Sequence, residues 1–130
     1  MKKLLLILVL AVMSSNALAE WVRVDYNSDK GTTTYVNFFT IEKSGETVKM
    51  WSLVDYKKAQ ERAFLPLYMS TNRQSEFNCK EEQMRELYAS YHAKNMGKGK
   101  VIFSDNSPDS WSAVPPDSID RELWKHACEK

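Results

Sequence analysis

The sequence predicts an α+β domain, in which β-strands joined by tight turns are followed by one C-terminal helix. Several stretches after residue 20 alternate apolar and polar residues with the two-residue period of a half-buried strand. A helical pattern with a cap signal ahead of it occupies residues 118–128. The chain has two cysteines, and the second lies inside that helical pattern. Together these observations predict a strand region to which a C-terminal helix is tied.

The start of the chain predicts export. Two lysines precede an apolar run over residues 4–13, which is too short to span a bilayer, and Ala17 and Ala19 supply the small side chains that signal peptidase requires. We therefore expect residues 1–19 to be a signal peptide and residues 20–130 to form a single domain. An uncleaved anchor is the alternative. No cysteine lies near the cleavage site, so we expect a periplasmic, secreted or cell-surface protein that is not a lipoprotein.

The predicted mature chain is nearly neutral. It has 16 basic and 17 acidic residues, because two of the 18 basic residues leave with the signal peptide. This balance gives no support for nucleic-acid binding. The sequence also contains no basic block and no basic amphipathic helix of the kind that docks on anionic lipid. Composition therefore leaves the class of partner open.

The beginning of the mature chain is typical of a β-hairpin. A strand over residues 21–26 places its apolar residues on one face, namely Val22, Val24 and Tyr26. Turn-forming residues at 27–31 lead to a β-branched and aromatic second strand at 32–39. The dipeptide Ser44-Gly45 predicts the next reversal of the chain.

A central strand is predicted over residues 47–56, because apolar residues occupy both of its faces. One face carries Val48, Met50, Val54 and Tyr56, and the other carries Trp51 and Leu53. Pro66 limits any ladder in the charged segment that follows. A further strand is predicted over residues 68–79, with Ser75, Phe77 and Cys79 on one face.

Residues 81–93 fit two structures. Their apolar residues recur at helical spacing, so the pattern by itself favours an amphipathic helix; these residues are Met84, Leu87, Tyr88 and Tyr91. The tyrosines and a partial alternation also permit a long strand.

The last elements are short. Residues 96–100 contain two glycines and predict a turn, residues 101–103 predict a strand, and a loop that carries Trp111 follows. Either Asp117 or Ser118 can cap a helix that ends at about residue 128. The apolar stripe of this helix consists of Ile119, Leu123, Trp124, Ala127 and Cys128.

Cys79 and Cys128 are predicted to form a disulfide. In an oxidising compartment an isolated pair of cysteines is more often a disulfide than two free thiols. The two residues are 49 positions apart, so the chain-entropy model gives a stabilisation of about 4 kcal/mol. A helix this short is marginal by itself, and its order depends on the bond and on the packing of its apolar stripe.

We predict that the protein is not an enzyme and that it binds no cofactor and no metal, since no catalytic constellation is evident. His92 and His126 have no second histidine or cysteine at metal-ligand spacing, so both are expected to be solvated surface residues. Segment 97–100 lacks the spacing and the following helix of a phosphate-binding loop, and a hairpin turn explains it better.

Two carboxylate pairs and four tryptophans complete the candidates. Glu81 and Glu82 are better explained as a solvated edge than as an acid and base pair, and Asp117 and Asp120 as the start of a helix. Core packing explains most of the tryptophans, and any that are exposed are candidates for a protein-binding patch. These residues are Trp21, Trp51, Trp111 and Trp124.

Several short segments, in their order along the chain, resemble the bacterial surface-adhesin protein E family. They include Trp21, residues 48–53 and 55–57, residues 76–79, residues 96–102, Trp111, Val114 and Pro116, and finally Leu123 and Cys128. The resemblance covers essentially the whole mature chain.

The resemblance implies an antiparallel sheet of about six strands, with the C-terminal helix packed on its concave face and tied there by the disulfide. On this basis we predict that residues 81–93 form a strand. It also implies an adhesin that binds host matrix or serum proteins such as vitronectin or laminin and that can form a homodimer through its sheet. It identifies no ligand-binding residue.

Three functions are therefore considered. The first is a non-enzymatic protein-binding domain of the cell envelope or of the secreted fraction, which recognises a partner through a sheet face, a sheet edge or exposed aromatic residues. The second is a periplasmic structural or accessory protein without a host ligand. The third is a small-ligand carrier or an enzyme, which would require a cleft with mutually supporting polar groups.

Overall fold

Six strands form an antiparallel meander in which each strand pairs with its neighbour in sequence. The structure is a computed structural model that describes residues 20–129; the predicted signal peptide lies outside these residues. The elements are β1 (Val22–Asn27), β2 (Thr32–Ser44), β3 (Thr47–Gln60), β4 (Tyr68–Asn78), β5 (Gln83–His92), β6 (Val101–Asp105), β7 (Ser112–Ala113) and the helix α1 (Ile119–Cys128).

The connections follow the predicted turns. The β2–β3 hairpin closes at Ser44 and Thr47, and Gly45 between them adopts a left-handed conformation with φ of 62°, which glycine accepts without steric cost. Strands β3 and β4 pair up to Gln60 and Tyr68, so the ladder stops before Pro66, as predicted. The two-residue strand β7 pairs with the start of β5 and was not evident in the sequence.

Residues 83–92 form a strand, so the resemblance to the adhesin family predicted this segment correctly and the helical periodicity was misleading. A β-bulge explains the pattern. Gln74 pairs with Tyr88 and Ser75 with Glu86, which leaves Leu87 as an extra residue. The extra residue changes which face each later side chain occupies, so apolar residues recur at three and four positions instead of at two.

A second bulge corrects the prediction for β1. Val22 pairs with Val36, whereas Tyr26 pairs with Thr33, and the register shifts between Arg23 and Asp25. Paired residues point to the same side of a sheet, and Val36 and Thr33 are three positions apart on β2, so they point to opposite sides. Val22 and Tyr26 therefore lie on opposite faces instead of sharing one.

The core lies between α1 and one face of the sheet, which we call the helix face. Its buried residues come from β2, β3, β4 and α1, and they are Val36, Val48, Met50, Phe77, Leu123 and Ala127. The helix begins after Ser118, whose hydroxyl oxygen accepts a hydrogen bond from the Arg121 amide at 3.1 Å. This is the N-cap that the sequence predicted as one of two choices.

Covalent and polar contacts hold the helix at one end of the sheet. Cys79 and Cys128 form the predicted disulfide, with 5.5 Å between their Cα atoms. Trp124 donates its indole N–H to the carbonyl of Asn78 at 3.1 Å. Arg121 pairs with the carboxylate of Glu82 at 2.6 Å, so Glu82 anchors the helix and is not simply a solvated edge residue.

The opposite face of the sheet, which we call the outer face, is partly covered by the β5–β6 connection. Leu53 is fully buried there, which agrees with the prediction that β3 is covered on both sides. Gly97 lies so close to the sheet that an added Cβ would be 3.1 Å from the side chain of Asn72. Its φ of 69° is also left-handed, so glycine is required at this position.

Candidate functional site

The helix covers one part of the helix face and leaves a groove beside its N-terminal end. Two adjacent hollows of about 230 and 700 Å³ form this groove, and they share Thr34, Val54, Arg73 and Ile119. Strand alternation brings Thr34, Ser52 and Ser75 to the same face as the core. Here they line the groove together with Ile119, Asp120 and Leu123 of the helix. The groove floor is therefore largely polar.

A row of four aromatic side chains crosses the same face next to the groove. The row consists of Tyr56, Tyr68, Tyr91 and Phe103, from β3, β4, β5 and β6 in turn. Successive ring centroids are 5.7, 4.9 and 5.8 Å apart, with edge-to-face packing throughout. This geometry is favourable for aromatic pairs. Because Tyr56 also lines the groove, the row and the groove form one continuous surface.

Arg62 lies over the distal end of this row. Its guanidinium carbon is 4.9 Å from the centroid of Tyr91 and 5.5 Å from that of Phe103, which are cation–π distances. Arg62 also donates a hydrogen bond to the hydroxyl of Tyr91. The aromatic row thus combines ring surface, phenol hydroxyls and one cation, all of which are frequent in protein-binding hot spots.

The groove contains one partly buried ion pair. The Nε atom of Arg73 is 3.4 Å from a carboxylate oxygen of Glu86. Burial raises the pKa of Glu86 above its ordinary value; Arg73 opposes this shift, and the nearby charges of Asp109 and Asp105 add to it. Burial also raises the pKa of Tyr68 in the aromatic row.

His92 is buried, which contradicts the prediction of a solvated surface residue. Its exposed fraction is 7%, because it lies on the outer face beside the β5–β6 connection. Its Nε2 atom is 2.8 Å from the hydroxyl of Ser90, and burial lowers its pKa. His126 is half-buried and packs edge-on against Phe38, at 5.6 Å between ring centroids. Within residues 20–129 no group of three potential metal ligands comes together.

The tryptophans lie elsewhere than in the aromatic row, and each is partly buried. Trp51 packs against Tyr88 on the outer face, and Trp111 is covered by the guanidinium of Arg85 at 4.7 Å. The sequence drew attention to the tryptophans and missed the row of tyrosines. A signal was present, since each row residue lies near the end of a predicted strand.

The remaining residues that the sequence singled out belong to a turn or to the start of the helix. Segment 97–100 belongs to the β5–β6 connection, as predicted. Asp120 is in the first turn of α1, where a negative charge interacts favourably with the helix dipole. Asp117, which precedes the Ser118 cap, has a left-handed φ of 54°.

A family model described as surface-adhesin protein E matches residues 21–129. The chain belongs to this family. The match confirms the resemblance seen in the sequence, and it makes the chain an adhesin-like protein of a family expected at the cell surface or in the secreted fraction. No helix within residues 20–129 is long and apolar enough to cross a membrane. A search of curated proteins found no match.

Solved structures confirm the fold. Crystal form II of Haemophilus influenzae protein E aligns with a TM-score of 0.66 and 13% identity, over 88% of this chain and 91% of that chain. The selenomethionine form of the same protein aligns with a TM-score of 0.64 and 12% identity, over 88% and 89% of the two chains. At this identity the similarity establishes the six-stranded antiparallel sheet and its helix, and not the ligand.

Proposed function

We propose that the chain is a non-enzymatic binding domain of the cell envelope or the secreted fraction, and that it holds a protein partner against the aromatic row and groove of its helix face. Membership in an adhesin family supports the general class. The choice of this surface rests on the aromatic row. Tyrosine and arginine are enriched among the residues that contribute most to protein interfaces.

The shape of the surface supports a protein partner more than a small ligand. The larger hollow is wide, and its lining mixes carboxylates, hydroxyls and apolar groups, including Asp25, Thr32 and Ile119. A small-molecule site is usually an enclosed and mostly apolar pocket with a few convergent polar groups. An extended segment of a partner would instead contact the rings and the groove together.

The partner we propose is a host matrix or serum protein such as vitronectin or laminin, as the family resemblance implies. This requires exposure at the cell surface. It also requires that residues 1–19 act as a signal peptide and that residues 20–130 form the exported domain. The edge strand β1 offers a pairing site for a second copy of the chain, and sedimentation of the exported protein would measure its oligomeric state.

The first experiment is a binding measurement with purified vitronectin and laminin on a sensor surface. We expect Tyr56→Ala combined with Phe103→Ala to weaken binding at least tenfold, since truncation of a central aromatic residue in an interface typically costs more than about 1 kcal/mol. Phe39→Ala is the matched control, because Phe39 is 83% exposed but lies on β2, away from the row. Equal binding by the wild type and the double variant would refute the choice of surface.

Cell fractionation then tests the location. Intact cells that express the native gene are treated with protease, and the mass of the mature protein is measured. Digestion from outside, or release into the medium, supports the adhesin function. Complete protection in the periplasm would contradict it and favour a structural or accessory role among envelope proteins.

A further inference from the structure

The meander brings three connections to one end of the sheet. Strands β1, β3 and β5 all end there, so the β1–β2 turn, the β3–β4 loop and the β5–β6 connection are neighbours. We call this the basic end and define it as residues 28–31, 57–67 and 93–100. The amide of Lys57 donates to the carbonyl of Gly31 at 2.8 Å, and Asn95 donates to the carbonyl of Tyr56 at 2.9 Å.

Positive charge is concentrated at the basic end. It carries seven basic residues against two acidic ones, Asp29 and Glu61, which gives a net charge of plus five. The basic residues are Lys30, Lys57, Lys58, Arg62, Lys94, Lys98 and Lys100, all of them exposed. The predicted mature chain as a whole has a net charge of minus one. The separation of charge is therefore produced by the fold and is not visible as a basic block in the sequence.

An apolar tip projects from the middle of this charge. Phe64 at the turn of the β3–β4 loop is fully exposed, and Leu67 is 53% exposed. The amide of Leu65 donates to the carbonyl of Arg62 at 3.0 Å, and Phe64 has a left-handed φ of 64°. A bulky residue with this φ is uncommon. The loop thus presents Phe64 outward although its backbone conformation is unfavourable.

We propose that the basic end docks on the surface of a bilayer that contains anionic phospholipid. Phe64 and Leu67 enter the boundary between headgroups and acyl chains, and the lysines around them contact lipid phosphates. Basic residues combined with exposed aromatic and aliphatic residues are the usual composition of an interfacial membrane site. Phe64, Leu67 and the lysines of the β5–β6 connection lie outside the aromatic row and groove, whereas Arg62 and Lys30 border both surfaces. The inference rests on the exposed tip and the charge around it, and it does not depend on the proposed protein ligand.

The shape of the basic end favours a lipid surface over other anionic partners. Phe64 stands on a protruding loop, where a bilayer can receive it without a matching pocket. A nucleic acid with paired bases would contact the lysines through its phosphates but would leave Phe64 in water. An aromatic side chain contributes to nucleic-acid binding by stacking on unpaired bases. The flexible stems of the lysines also allow their ammonium groups to reach a flat array of phosphates.

The test is co-sedimentation of the purified exported chain with vesicles at low salt. One set is pure phosphatidylcholine, and the other is phosphatidylcholine and phosphatidylglycerol at about three to one. We expect binding to the anionic vesicles alone, and we expect it to weaken as salt is added, since screening shortens the reach of exposed charges. Equal binding to both sets, or binding to heparin without binding to vesicles, would overturn the proposal.

Variants separate the apolar and charged contributions. Phe64→Ser should weaken vesicle binding roughly tenfold. Lys94→Gln, Lys98→Gln and Lys100→Gln together should weaken it about a hundredfold, at about fivefold for each lysine. The matched controls are Phe39→Ser and the triple change of Lys43, Lys80 and Lys125 to glutamine, which lie outside the basic end. If the control variants weaken binding as much as the test variants, the basic end is not the docking surface.

The same variants distinguish this proposal from the proposed protein-binding function. Tyr56→Ala with Phe103→Ala should lose the protein partner and retain vesicle binding, whereas Phe64→Ser should do the reverse. Thermal unfolding of every variant verifies that it is folded. Loss of both activities in the Phe64 variant, with unfolding unchanged, would mean that one surface serves both and would refute a separate lipid site.

Discussion

Removal of the disulfide should destabilise the protein by an amount that the chain-entropy model predicts. The bond joins residues 49 positions apart, and closing a loop of that size in the unfolded chain corresponds to about 4 kcal/mol at 25 °C. Small domains have free energies of unfolding of about 5–15 kcal/mol, so the loss is large. For a domain of this length, we expect the melting temperature of Cys79→Ala/Cys128→Ala to fall by roughly 15–20 °C.

The other contacts of α1 decide how the variant behaves below its melting temperature. Leu123 and Ala127 are buried against the sheet, and Arg121 pairs with Glu82, so we expect the helix to remain docked but to open more often. Hydrogen exchange of residues 119–128 measures that opening, while that of β3 reports on the sheet.

The assay is thermal unfolding followed by circular dichroism, with the wild type in the presence and absence of a reducing agent as the matched comparison. The reduced wild type and the double variant should melt at similar temperatures. A loss below about 1 kcal/mol would refute the reasoning, because it would mean that the unfolded chain gains little freedom when the cross-link is removed.

Three further predictions concern single side chains. Ser118→Ala should lower the free energy of unfolding by about 1 kcal/mol through loss of the N-cap, measured by urea unfolding with the exposed Ser107→Ala as control. Because the pKa of His92 is lowered in the folded state, its contribution to stability is complete above the ordinary pKa of 6.5 and is lost as the pH falls below that value. His92→Asn should reduce this pH dependence of the free energy of unfolding, measured by urea unfolding at several pH values, whereas His126→Gln should retain it. The raised pKa of Glu86 means that its ionisation opposes folding at neutral pH, so Glu86→Gln should be more stable than the wild type at pH 7, and equal or lower stability would contradict the shift.

Much of the sheet could be predicted from strand alternation and turn residues. The β2–β3 reversal at Gly45, the end of the β3–β4 ladder before Pro66 and the helix after Ser118 all follow from local chemistry. Exceptions are the bulges in β1 and β5. An extra residue changes which face the later side chains occupy, and its position depends on pairing with a neighbouring strand, which a single sequence does not show. The helical spacing of the apolar residues within β5 results from such an extra residue.

The candidate surfaces could be predicted only in part, because they are assembled by topology. Tyr56 and Phe103 are 47 positions apart in the sequence, and they join one row because four strands lie side by side. The same is true of the lysines at the basic end, which come from the β1–β2 turn, the end of β3 and the β5–β6 connection. The sequence contains no basic block that would argue for lipid docking, and the meander brings the cluster together from separate segments.

The up-and-down order of the strands also has a consequence for folding. Each strand from β2 to β6 pairs with the one made just before it, so most of the sheet can grow from local contacts, which favours rapid folding. The helix is the exception, because its cysteine must reach back to the end of β4. Since Cys128 follows every strand of the sheet in the sequence, the disulfide can form only after the residues of the whole sheet have been synthesised. Closure of the bond therefore marks a completed domain.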